Sequence, residues 1–299
     1  MRARTLLMRR LGRAEARDLA AAASLDAALM RLSASAYGRR CRPGMTLAGA
    51  RRAVADTALW QMRVLAGWMP PHALESVRAL AAWFEIANVD ERLAYFTGAR
   101  APAPFELGGL ATADRRLAGA QSAGELRALL IGSRWGDPGA DDAATIRLAL
   151  RAGWARRVLL SVEEAADWAA GAVALLLARE LLLAGRPADQ LAALRPPGVG
   201  DAWPDASSLD ALRAAMPRQA AWALDGIDEP DDLWRAEAMW WWRVEADAER
   251  LMRSAHMGRA AVVGCVALLG VDAWRTSGAL EVAARGGGQM AIEVFDEIA

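Results

Sequence analysis

The chain has 299 residues, 55% of them hydrophobic, which is enough to bury a large core. Its 36 basic residues balance 36 acidic ones, so the basic excess of a nucleic-acid binder is missing. Every basic residue is an arginine, which excludes a Walker A loop, a Schiff base and a lysine general base. The only histidines and cysteines, His72, His256, Cys41 and Cys265, lie too far apart in sequence for a zinc site or a disulfide framework.

Alanine, leucine and arginine dominate, while β-branched residues, tyrosine and phenylalanine are scarce. This composition predicts an all-α protein. The start, MRARTLLMRRLGRAEAR, is basic, and its apolar runs are too short for a signal peptide, so a soluble cytoplasmic chain is expected. Thr46 caps a predicted helix to about Gly67. Pro70-Pro71 opens another that ends near Gly98, followed by a Pro/Gly linker over 99–111. Ser122 with Glu125 and Ser161 with Glu164 fit the capping box. The apolar stretches 168–184 and 261–271 are interrupted by charge or too short to span a bilayer, and are expected as core helices. Gly185-Arg186-Pro187 closes the first of them, and 195–207 forms a second linker. Asp228-Glu229-Pro230 opens a helix running to about Arg253, and Gly286-Gly287-Gly288 provides a C-cap and turn.

The linkers suggest repeats. Leu19 to Tyr37 and Leu117 to Trp135 align without a gap: Leu19 with Leu117, Ser24 with Ser122, Leu32 with Leu130, Ser35 with Ser133, Tyr37 with Trp135 and Gly38 with Gly136. SLDALRAAM, from Ser208, echoes SLDAALMRL from Ser24. A serine cap, inward leucines and a closing aromatic give the pattern a common physical reason. The expectation is three helical units, 1–103, 104–198 and 199–299.

With these repeats the sequence resembles the central-stalk connector family of A/V-type (vacuolar-type) rotary ATPases, the C-type subunits, whose eukaryotic V-ATPase members are the d-type subunits. Arg2-Ala3-Arg4 with Leu6-Leu7, and Ser24-Leu25-Asp26 through Tyr37-Gly38, are similar to the start of that family. Glu85-Ile86-Ala87-Asn88-Val89 matches its acidic-Asn helix, and His256-Met257-Gly258 through Leu268-Leu269-Gly270-Val271-Asp272 its C-terminal segment. The chain departs from the family at Ala174, where an Asn is expected, at Glu281, near an expected Arg, and in both C-terminal prolines. The resemblance implies three helical bundles in a pseudo-threefold funnel. It also implies a non-catalytic connector at the cytoplasmic face of the membrane, joining the central-stalk subunits to the proteolipid ring and carrying torque for proton or sodium transport. No catalytic, metal or cofactor-binding residue is expected. The other reading is a stand-alone helical adaptor or regulatory scaffold.

Seven residues are candidates for an interface. Arg2 and Arg4 begin an arginine-rich helix, which is either a solvated face or a contact with acidic loops or anionic lipid. Glu85 and Asn88, three apart on one helix face, are either a satisfied buried pair or a stalk-facing one. Trp240, Trp241 and Trp242 span about 200° of a helix, so no single contact covers all three. They are either covered from two sides or partly given to a partner.

Overall fold

A computed structural model describes residues 2–100, 102–113, 115–254 and 258–287. Among them are fourteen α-helices and no strand: α1 Arg2–Leu7, α2 Gly12–Ala20, α3 Leu25–Leu32, α4 Leu47–Ala66, α5 Pro71–Ala81, α6 Trp83–Phe96, α7 Ala123–Ile131, α8 Ala143–Ser161, α9 Ala166–Ala178, α10 Ala188–Ala193, α11 Leu209–Ala215, α12 Arg218–Ala221, α13 Leu233–Ser254 and α14 Arg259–Ala284. The all-α expectation holds. The chain divides into two compact units, one of residues 1–69 with 241–299, the other of residues 70–240.

Side-chain caps start five of the α-helices. Thr46 caps α4 by accepting from the amide of Gly49 at 3.1 Å. Asp142 caps α8 through the amide of Thr145, and hydrogen bonding from the Thr145 hydroxyl, then from that amide, holds its carboxyl below the usual range. Ser24, Ser122 and Ser208 cap α3, α7 and α11 through the amide three residues on, at 3.2 Å each. At Ser122 the box is shifted by one residue, since Glu125 accepts from the amide of Gln121.

Two expected boundaries are corrected. The helix predicted over 70–98 is two, broken at Ala82. The Ser161–Glu164 capping box does not form: Ser161 is the last residue of α8 and its hydroxyl donates back to the carbonyl of Arg157 at 2.6 Å. A serine in a last turn finds carbonyls within reach rather than free amides.

In the first unit, Leu29, Leu32 and Tyr37 pack against Ala279, Leu280 and Ala283 of α14. α14 is long and apolar enough to cross a membrane by length and composition, but here it is a core helix among α2, α3 and α4. In the second unit, Leu126 and Leu130 pack against Ile86, Val89 and Leu93 of α6. Beyond Asp167 in its first turn α9 is apolar and mostly buried; it leads into a π-helical turn, Arg179–Leu183, before Gly185. The linkers are packed rather than loose. Phe105, Leu107 and Leu110 are buried in one, Val199 and Trp203 in the other.

Candidate functional site

The most elaborate polar site lies in the second unit and centres on Glu85, which is 5% exposed. One oxygen of its carboxylate accepts from the amides of Thr112 and Ala113; the other accepts from the Thr112 hydroxyl and, at 2.9 Å, from the indole of Trp135. Arg157 donates to the same hydroxyl at 2.9 Å and lies 3.8 Å above the Trp135 ring. Burial pushes the guanidinium of Arg157 below its usual range, and the Glu85 charge opposes that shift. Its second terminal nitrogen is buried without a hydrogen-bond partner among the described residues.

Asn88, one turn along α6, works on the same linker. Its amide donates to the carbonyl of Phe105 at 3.0 Å, and its oxygen accepts the amide of Phe105 at 2.6 Å. The two predicted site residues of α6 therefore act together. They strap residues 105–113 across the helix by supplying acceptors and donors that an irregular, buried backbone would otherwise lack.

The first unit holds a second site of the same construction. Asp272 of α14, 3% exposed, accepts from the amides of Leu11 and Gly12 at 3.0 and 2.9 Å and from the hydroxyl of Tyr37 at 2.7 Å. Burial and then the Asp272 charge hold the Tyr37 phenol well above its usual range. Three residues on, Arg275 is 2% exposed and pairs with Glu245 at 2.7 and 3.1 Å; Glu245 also meets Arg13 at 3.3 Å. Burial alone would raise the Glu245 carboxyl, but the two arginines outweigh it and leave it below the usual range.

The two sites correspond residue by residue. Ser35 and Ser133, each eleven residues after the capping serine, donate to the carbonyls of Leu32 and Leu130 at 2.7 Å. Each also accepts the amide of the aromatic two residues on, at 3.1 Å. Tyr37 and Trp135 then each reach a carboxylate on a long helix, and that carboxylate pins backbone amides upstream of the serine cap. On each long helix a second polar residue follows three positions later, Asn88 or Arg275.

Among the described residues, no carboxylate of this kind closes the segment from Ser208. α9, which packs beside it, carries Gly171 and Ala174 three apart where the other long helices carry polar residues. The Trp222 ring lies against Gly171 so closely that a Cβ there would be 2.7 Å from Cζ2. The Trp222 indole turns instead to the carbonyl of Gln219 at 3.0 Å. A glycine and a flat ring fill the space that a carboxylate fills elsewhere.

The tryptophan run divides its contacts. Trp240 donates to the carbonyl of Trp168 at 2.9 Å within the second unit. Trp241 stacks on Trp274 within the first, ring centres 5.2 Å apart. Trp242 is exposed. Arg2 and Arg4 lie in α1, and their side chains fall outside the described residues, as do His256 and Met257. Asp272, Arg275, Trp135, Thr112 and Arg157 were not singled out from sequence as site residues. A usable signal existed for the first two, the only charges between Arg259 and Glu281 in an otherwise apolar helix.

Cys41 and Cys265 are buried thiols outside any disulfide, pushed up to about 11 and about 12 by desolvation. Among the described residues, no group of three or more His, Cys, Asp or Glu side chains is placed to hold a metal ion. No protein-family model and no curated protein matches the chain.

Proposed function

We propose that the protein is a non-catalytic helical connector, acting as the C-type and d-type subunits act in A/V-type rotary ATPases. It would join the central-stalk subunits to the proteolipid ring at the cytoplasmic face of the membrane and carry torque between them. The observation that carries this reading is the repeated lock: Glu85 with Trp135, and Asp272 with Tyr37, close two segments of like sequence in the same way. Internal repetition of helical units is what the sequence resemblance implies. A torque-bearing part also needs stiff joints, and multiply bonded buried carboxylates supply them.

The same locks speak for a structural role. Both oxygens of Glu85 and both of Asp272 are occupied by donors from their own unit. A general base must reach a substrate, and both carboxylates are buried.

The test is co-purification of the tagged full chain from native membranes. Recovery of the head, stalk or ring of the ATPase is the expected result. A preparation that yields none of them, from cells that contain the ATPase, would refute the rotary reading and leave the stand-alone scaffold.

A further inference from the structure

From the geometry of the loop between Tyr37 and α4, we infer that Arg39, Arg40 and Arg42 form a docking surface for an acidic protein partner. The inference does not depend on the rotary reading.

Residues 27–55 contain six arginines and no Asp or Glu, in a chain whose formal net charge is zero. Three of the six have roles within the fold. Arg31 donates to the carbonyl of Asp18, Arg51 meets Glu281 at 3.6 Å, and Arg52 has an interaction of its own. Arg39, Arg40 and Arg42 are exposed, and their guanidiniums make no ion pair or hydrogen bond among the described residues. Elsewhere arginines are commonly paired, as Arg127 with Asp137 and Arg147 and Arg151 with Asp90.

The loop that carries the three charges is held in place. The amides of Arg40 and Cys41 donate to the Tyr37 carbonyl at 3.0 and 2.9 Å, and the Tyr37 hydroxyl is anchored on Asp272. The Arg42 amide donates to the sulfur of Met45, and the Gly44 amide to Asp26 at 2.8 Å. Gly44 has φ +81°, which suits glycine. A fixed backbone lowers the ordering cost of binding and favours a partner whose own charges are fixed. Guanidinium forks match carboxylates two bonds at a time.

Two other polyanions fit less well. A lipid surface rewards apolar side chains beside the charges, and Met30 is the single exposed large hydrophobic residue over 27–55. Single-stranded nucleic acid favours exposed aromatics for stacking, yet Tyr37 is buried. A long duplex would also run beyond this patch on a chain with no basic excess.

The test compares the full chain with two triple variants, Arg39→Gln/Arg40→Gln/Arg42→Gln and the exposed control Arg100→Gln/Arg195→Gln/Arg218→Gln. Unchanged helical circular dichroism confirms that both fold. The probe is a fluorescein-labelled, glutamate-rich helical peptide, read by anisotropy at low and physiological salt. The patch variant should bind about tenfold more weakly at low salt and the control within about twofold of the parent. The difference should shrink as salt rises. Equal losses in both variants, or no peptide binding by the parent, would overturn the inference. So would patch-dependent binding to phosphatidylserine vesicles or to a short DNA duplex that matches or exceeds binding to the peptide.

Discussion

Glu85 carries four acceptor contacts on one buried carboxylate, and that concentration makes it vulnerable. Glu85→Ala would leave two amides and an indole without partners and Arg157 without its counter-charge. The expected loss is ~3 kcal/mol or more in urea unfolding. Glu85→Gln keeps one acceptor oxygen but turns an amide donor toward other donors, so a smaller loss of ~1–2 kcal/mol is expected. Equal losses for the two would show that shape rather than charge sets the joint. The Tyr37 phenol gives a second test at this scale. Its folded pKa lies above its unfolded value of about 10. The phenol's contribution is therefore complete below pH ~10 and falls as pH rises toward the folded value, because the unfolded chain loses its proton first. Stability should decline above pH ~10, and Tyr37→Phe should lessen that slope.

Among the elements, the three Ser-capped helices start alike and end differently. α3 and α7 are closed by an aromatic bonded to a carboxylate, whereas the segment after α11 is closed by Trp222 lying on Gly171 of α9. Gly171→Ala puts a methyl group into the Trp222 ring. A loss of ~1–3 kcal/mol is expected by thermal or denaturant unfolding, and Trp222→Leu should recover part of it by opening space. A neutral Gly171→Ala would show that the ring has room to move. The tryptophan run teaches a related point about helix geometry. Adjacent residues point ~100° apart, so Trp240 and Trp241 reach different neighbours while Trp242 stays exposed. Of the three, Trp242 is the residue left available to a partner.

At the scale of the molecule, the division into residues 1–69 with 241–299 and residues 70–240 gives each unit its own lock. Asp272→Ala should raise amide hydrogen exchange in α2, α3 and α14 while leaving the helices between 71 and 221 near parental protection. Glu85→Ala should do the reverse. Exchange rising throughout the chain for either variant would show that the two units unfold together.

The amino-acid sequence by itself determined the helical class, the serine and threonine caps and the likeness of the segments from Ser24 and Ser122. These depend on composition and on contacts a few residues apart. It also marked Glu85 and Asn88 as a pair, since three-residue spacing places them on one face. The tertiary structure alone decided what the pair grips, because Phe105 lies within, and Thr112 just after, a Pro/Gly linker whose path no local rule fixes. It alone joined Asp272 to Leu11, Gly12 and Tyr37, across a separation of more than two hundred residues. Ser161 failed as a cap for a related reason: a capping pattern shows that a side chain can bond to backbone, while packing decides which end of a helix it meets. Long-range polar contacts such as these satisfy backbone amides that packing has buried away from water, and the packed chain alone determines which amides those are.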